Sequence, residues 1–247
     1  MTRTIEVLFG PPWPADAVRG AHIVVVDVLR ATTTIATALA NGAAGAIPVA
    51  EPEDAIALGN RLGRDRVLLC GERGSVRIEG FDLDNSPASF TREIVAGKTL
   101  IITTTNGTRA VRAAGTAASV RTAALVNRAA VAEVLAHEDG DIAIACAGDA
   151  NGFALEDAIG AGALVDRLRT LISNADLRDG ARAAALLYRA VAARLADAIA
   201  SADHAQALAE KGFAADVARS AELDVLEVVP TLRDGVIVGA TPAASPG

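Results

Sequence analysis

Runs of β-branched and aliphatic residues recur along the chain, and three of them end in a polar turn that opens into a helical pattern. In AHIVVVDVLRATTTIATALANGA the run Ile23–Val26 predicts a strand buried on both faces, interrupted by Asp27. Ala31–Ala40 then predicts a helix stopped by Asn41-Gly42. In GKTLIITTTNGTRAVRAAG a strand over Thr99–Thr103 is followed by the turn Thr105-Asn106-Gly107 and a helix ending near Gly115. In GDIAIACAGDANGFALEDAIGAGALVDRLRTL the strand Ile142–Cys146 runs into a Gly/Asp/Asn turn and a long helix from about Leu155. Weaker strands are expected at Gly45–Val49, Val67–Cys70 and Ser119–Arg121, with helices near Glu53–Leu62 and Ala129–Ala136. Leu187, Val191, Leu195 and Ile199 recur at helical spacing and predict one surface helix over Gly180–Ala200. Val225–Val229 and Val236–Val238, flanking Pro230 and Asp234-Gly235, predict a terminal hairpin.

Strands alternating with helices predict an α/β protein, layered α/β/α, with a largely parallel or mixed sheet. Two intimately packed lobes are compatible with the length of 247 residues, but no Pro/Ser linker divides the chain. Residues 1–240 therefore read as a single domain and the small-residue segment 241–247 as a disordered tail.

Composition narrows the function classes. The formal net charge of −7 disfavours nucleic-acid and anionic-membrane partners. Lys98 and Lys211 are the only lysines among 23 basic residues. Such an arginine excess suits bidentate grip on phosphate or carboxylate, although codon bias produces the same balance. Cys70 and Cys146 sit in apolar runs and read as buried, reduced thiols without zinc-ligand spacing. MTRTIEVLFG is too short and polar for a signal peptide, and no apolar run reaches membrane-spanning length. A cytoplasmic location is the expectation, and a homodimer is left open.

Three motif-like stretches carry no chemistry. Gly97-Lys98-Thr99 lacks the glycine of a phosphate loop, having Arg92 there, and it precedes a strand. Gly160-Ala161-Gly162 has Val165 where a dinucleotide fingerprint needs glycine. A phospho-aspartate mechanism needs a second Asp where Leu29 stands. His22, His137 and His204 stand alone, without a G-x-S-x-G elbow.

Ligands of open α/β sheets gather beyond the carboxyl ends of strands. The polar residues ending these strands are Asp27 and Arg30, Glu72 and Arg73, Thr105, Asn106, Gly107 and Thr108, and Asp149. Carboxylates without histidine suit Mg²⁺, and arginines with hydroxyls at helix starts suit an oxyanion, a combination that points to phosphoryl chemistry. Blander readings exist for each: Asp27 as a helix cap, Thr32–Thr34 as a helix start, Glu72-Arg73 as a surface ion pair, Asn106-Gly107 as a connector.

DVLRATTTIATALANGA, CGERGSVRIEGFDLDNSP, TTTNGTRA and CAGDANGFALEDAIGAG resemble, in order, the motifs of the 2-phosphosulfolactate phosphatase family. The resemblance spans roughly Val24 to Gly162 and continues loosely through Lys211-Gly212-Phe213, Asp216-Val217 and Val229-Pro230. It implies an α/β fold and Mg²⁺-dependent removal of phosphate from (R)-2-phospho-3-sulfolactate, a step of coenzyme M biosynthesis. Ser75 and Asp84 stand where the family usually has glycine, and Ala154 replaces a common serine. On this reading Asp27, Glu72 and Arg73 carry the chemistry. Asp27, Glu72, Glu156 and Asp157 hold Mg²⁺. Arg30, Thr32, Asn85, Ser86, Asn106, Gly107 and Thr108 bind the small anionic phosphoester. The nucleophile is either water or a carboxylate. The alternative is a non-catalytic binding or sensor protein for a small phosphorylated or sulfonated acid.

Overall fold

The computed structural model describes residues 2–114, 117–149 and 152–240. Gly115, Asn151 and the tail 241–247, all named in the sequence expectations, lie outside the described residues. Eleven strands form one sheet: β1 (Arg3–Leu8), β2 (His22–Val26), β3 (Gly45–Pro48), β4 (Val67–Arg73), β5 (Val76–Arg77), β6 (Thr99–Thr103), β7 (Ser119–Ala123), β8 (Ile142–Cys146), β9 (Ala175–Leu177), β10 (Val229–Arg233) and β11 (Val236–Ala240). Their order is β5-β4-β6-β3-β11-β10-β7-β2-β8-β1-β9. The sheet is mixed. One parallel group is β4-β6-β3, the other is β7-β2-β8-β1-β9, and the antiparallel hairpin β10-β11 joins them. Three antiparallel pairings separate β3 from β7, so the two parallel groups run in opposite directions.

Strand β2 shows why its sequence is an unbroken apolar run. Ile23 and Val25 enter one core, Val24 and Val26 the other, because successive side chains leave opposite faces. The first of these cores surrounds the helix Ala31–Ala40, whose residues Ala31 to Leu39 are all buried. Its threonines are tolerated there because each hydroxyl donates to a carbonyl: Thr32 to Asp27, Thr33 to Val28, Thr34 to Asn85 and Thr37 to Thr33. The same core takes residues from β3, β6, β7, β8 and β11 and from the helix Gly107–Ala113. Enclosure of these two helices lets loops following oppositely directed strands meet at one cleft.

The chain departs from the sequence expectations in several places. The stretch Gly180–Ala200 is not one helix. It is Asp179–Val191, a 3₁₀ turn Ala192–Arg194, and Leu195–Ala200, and the break divides the apolar stripe. Leu187, Val191 and Leu195 pack partly buried, while Ile199 is fully inside. The hairpin starts later than expected, at Val229. Pro230 lies within β10, tolerated because the ladder to β7 is a single residue pair, Thr231 with Arg121. Strands β1 and β9 and the helices Asp203–Glu210 and Ala214–Ser220 are additions, each too short for a clear periodic signal. Among the described residues no helix is long and apolar enough to cross a membrane.

Candidate active site

Asp27 follows the last residue of β2 and is buried. Its main chain is clamped by Thr32, whose Oγ1 donates to the Asp27 carbonyl at 2.7 Å, while Asp27 N donates to Thr32 Oγ1 at 3.1 Å. Asp27 Oδ1 accepts from Ala31 N at 3.1 Å. The residue therefore does serve a helix start, yet it also lines a cleft of about 320 Å³. Burial raises its pKa from 3.8 to about 6, with Glu156 and Glu72 adding to the effect; the hydrogen bond from Ala31 and the nearby His204 oppose it.

The cleft is also lined by Arg30, Glu72, Ser75, Asn85, Thr104, Thr105, Asn106, Asp149, Asp203 and His204. Arg30 is buried and held on two sides. Nη1 donates to Asp216 Oδ2 at 2.6 Å, and its guanidinium lies 4.3 Å from the centroid of the Phe213 ring. Asp216 accepts a second bond from Ser86 Oγ at 2.7 Å. Ser86, expected to touch substrate, instead orients the carboxylate that orients Arg30. Asn85 is buried in the cleft wall, and its Oδ1 has no protein donor.

Glu72 lies at the carboxyl end of β4 and joins two loops. Oε2 accepts from Ser75 N at 2.7 Å, and Oε1 accepts from Thr105 N and Thr105 Oγ1 at 2.9 and 3.0 Å. Arg73 does not line the cleft, which corrects its expected place beside Glu72. Its guanidinium donates to the carbonyls of Glu72 and Ala50 and to Thr103 Oγ1. Consecutive strand residues project to opposite faces, so Glu72 and Arg73 cannot share one pocket. Thr32 and Thr108 are likewise spent on the chain. Thr108 exchanges hydrogen bonds with Thr104 across the turn that Asn106 and Gly107 close.

The expected four-carboxylate metal set is not assembled. Among the described residues no three His, Cys, Asp or Glu side chains come together closely enough to hold a metal ion. Asp157 lies beneath the cleft, where Oδ1 accepts from Val28 N at 2.8 Å and Oδ2 from Gly148 N at 3.0 Å. It thus ties together the loops after β2 and β8. Burial, then the charges of Asp27 and Glu156, push its pKa well above the usual carboxylate range. Glu156 sits 3.3 Å from His204 Nδ1. Of the four, Asp27 and Glu72 line the cleft, and both Glu72 oxygens already accept hydrogen bonds.

His204 was passed over in the sequence because no motif surrounds it; only the fold carries the helix Asp203–Glu210 over the end of β2. Asp216 had one weak signal, its position in the looser tail of the family resemblance. His22 and His137 remain ordinary, hydrogen-bonded to Ser119 and to main-chain carbonyls.

Gly107 has an ordinary φ, so its need is close approach. A Cβ there would fall 2.6 Å from Asp27 Oδ2 and 2.5 Å from the Ala31 Cβ. Gly107→Ala is expected to displace the Asp27 carboxylate, costing on the order of 10²-fold in turnover and about 1–3 kcal/mol in stability. Steady-state kinetics and thermal melting check it; unchanged kcat would separate this turn from the reacting groups.

The cleft sets the carboxylates of Asp27, Glu72, Asp149 and Asp203 against the buried guanidinium of Arg30 and the imidazole of His204. Its sequence frame is widely shared. The pattern of the 2-phosphosulpholactate phosphatase family matches residues 13–235. A protein of Caldanaerobacter subterraneus subsp. tengcongensis named "Probable 2-phosphosulfolactate phosphatase" is 41% identical, over 87% of this chain and 89% of its own. One of the same name from Symbiobacterium thermophilum is 41% identical, over 91% and 97%. Another from Thermotoga petrophila is 40% identical, over 95% and 97%. A match that takes in every strand lining the cleft, from β2 to β8, together with the helix that carries His204, places this chain in the 2-phosphosulpholactate phosphatase family.

Proposed function

We propose that this protein is a phosphoric monoester hydrolase that releases phosphate from 2-phosphosulfolactate, and that Mg²⁺ bound at Asp27 assists it. Family membership supports the reaction. Support for the metal comes from the charge balance of the cleft, where a guanidinium already paired with Asp216 faces several carboxylates. A substrate carrying phosphate, sulfonate and carboxylate is repelled by such a wall unless a cation lies between. Mg²⁺ takes one or two carboxylates and completes its shell with water, so it does not require a cluster of three protein ligands. Asp27, with Asp149 as the other carboxylate that follows a parallel strand end, is the donor set proposed.

When bound, Mg²⁺ supplies Lewis-acid neutralisation of phosphoryl oxygens. The protein's own residues do the rest. Arg30, immobilised by Asp216 and Phe213, presents planar donors to a phosphoryl or carboxylate oxygen without losing its orientation. Asn106 offers a neutral amide at the mouth of the turn. Asp157 holds the loops after β2 and β8 at fixed spacing, so that Asp27 and Asp149 face the same space.

Phosphate release from 2-phosphosulfolactate, measured with Mg²⁺ and again after chelation, tests the reading. Release that requires Mg²⁺ is expected. Binding of 3-sulfolactate, seen as about 2.7 kcal/mol of stabilisation at a hundredfold excess over Kd, but with no phosphate released, would make the protein a sensor instead.

A further inference from the structure

We infer that His204, held by Glu156, protonates the leaving oxygen of the phosphoester. The inference rests on the phosphatase reading just given and assigns a group that the reading leaves open. An alkoxide is a poor leaving group, so breaking its bond to phosphorus is assisted by an acid within reach. His204 is the imidazole of the cleft. Its Nδ1 lies 3.3 Å from Oε1 of Glu156, a carboxylate only 3% exposed on the helix Leu155–Leu171. That contact fixes the ring and its tautomer and leaves Nε2 as the nitrogen able to reach a bound ligand. A buried carboxylate on one nitrogen with the other turned to the reacting space is the arrangement that orients an acid–base histidine in hydrolases on other folds.

Charges around the ring agree with a proton-carrying form. The hydrogen bond to Glu156 is the largest influence and raises the His204 pKa. Burial and Arg30, on the neighbouring loop, act against it. Asp203, beside it on its own helix, adds a further negative charge to the cleft.

The step balances without an added reagent. Water attacks phosphorus, the bond from phosphorus to the C2 oxygen breaks, and that oxygen takes the proton from His204 Nε2 to give the free hydroxyl of 3-sulfolactate. The proton lost by the attacking water stays with the departing phosphate or passes to solvent, and His204 is reprotonated from solvent.

The test compares wild type, His204→Asn and His204→Gln on two esters: 2-phosphosulfolactate, whose leaving group needs a proton, and 4-nitrophenyl phosphate, whose leaving group does not. Asn can keep a donor near the place of Nδ1 and so preserve the contact with Glu156 while removing Nε2. On the alkyl ester both variants should lose roughly 10²–10⁴-fold in kcat with little change in KM. On the aryl ester the loss should stay below about tenfold, because the acid is no longer needed. Equal losses on both esters, a rise in KM alone, or an unchanged kcat would overturn the inference. Failure of wild type to release phosphate from either ester would instead overturn the phosphatase reading.

Discussion

Asp27→Asn is expected to abolish most activity while making the metal-free protein more stable at neutral pH. Loss of several kcal/mol of metal-assisted stabilisation corresponds to roughly 10³-fold in rate. The gain in stability follows from burial. Asp27 has its pKa raised from 3.8 to about 6, so the folded state binds a proton more tightly than the unfolded state. The stability this contributes is fully present below about pH 4 and is lost as pH rises to about 6. Above that the native state carries a desolvated charge costing on the order of 2–3 kcal/mol, which Asn does not carry. Chemical denaturation of both proteins at pH 5 and pH 8 in chelator should show the difference widening with pH. Mg²⁺ should raise the melting temperature of wild type and leave the variant almost unmoved. An equal stability difference at both pH values would overturn the raised pKa of Asp27, and near-wild-type turnover or an unchanged Mg²⁺ response would remove Asp27 from the metal site.

Arg30→Gln is expected to be the most destabilising single change in the cleft. Asp216 is 3% exposed, and removing Arg30 leaves its carboxylate with only the Ser86 hydroxyl as a side-chain donor. Breaking a buried ion pair from one side costs about 3–5 kcal/mol, because the remaining charge is neither solvated nor paired. Asp216→Asn should cost a comparable amount, and the double variant much less than the two together, since the partners share one interaction. Urea titration of the three variants measures this coupling. Additive losses would show that Arg30 and Asp216 do not depend on each other. Arg30→Gln should also raise KM, because the orientation of the guanidinium is what the pair with Asp216 secures.

Much of the architecture was legible in the chain because it follows from local chemistry. Uninterrupted apolar runs at Ile23–Val26, Leu100–Ile102 and Ile142–Cys146 mark strands covered on both faces, and the polar residues that follow them are residues of the cleft: Asp27, Thr104 to Asn106, and Asp149. The separation of Glu72 from Arg73 went unread, although the two-residue period of a strand carries it. Adjacent helix positions set Glu156 and Asp157 about 100° apart, one turned to His204 and the other to the backbone of Val28 and Gly148.

What the sequence by itself determined about this protein, then, is the set of strands that end in polar turns, the mixed α/β class, and through its four ordered motifs the family. Only the tertiary structure decided which of those polar residues face a ligand and which hold other residues in place. Thr32, Ser86, Thr108 and Asp157 have the composition of ligand-binding groups, but each is consumed by a hydrogen bond, within the turn for Thr32 and Thr108 and to a partner brought by packing for Ser86 and Asp157. His204 and Asp216 have no local signature. They come from helices separated from β2 by more than 170 residues of chain, and they reach Glu156 and Arg30 because the helical layer after β9 folds back over the ends of the strands. Local pattern records which face of an element is apolar. It carries no record of which distant charge will be buried beside it, and in this cleft burial sets the ionisation of Asp27 while pairing sets that of His204 and the aim of Arg30.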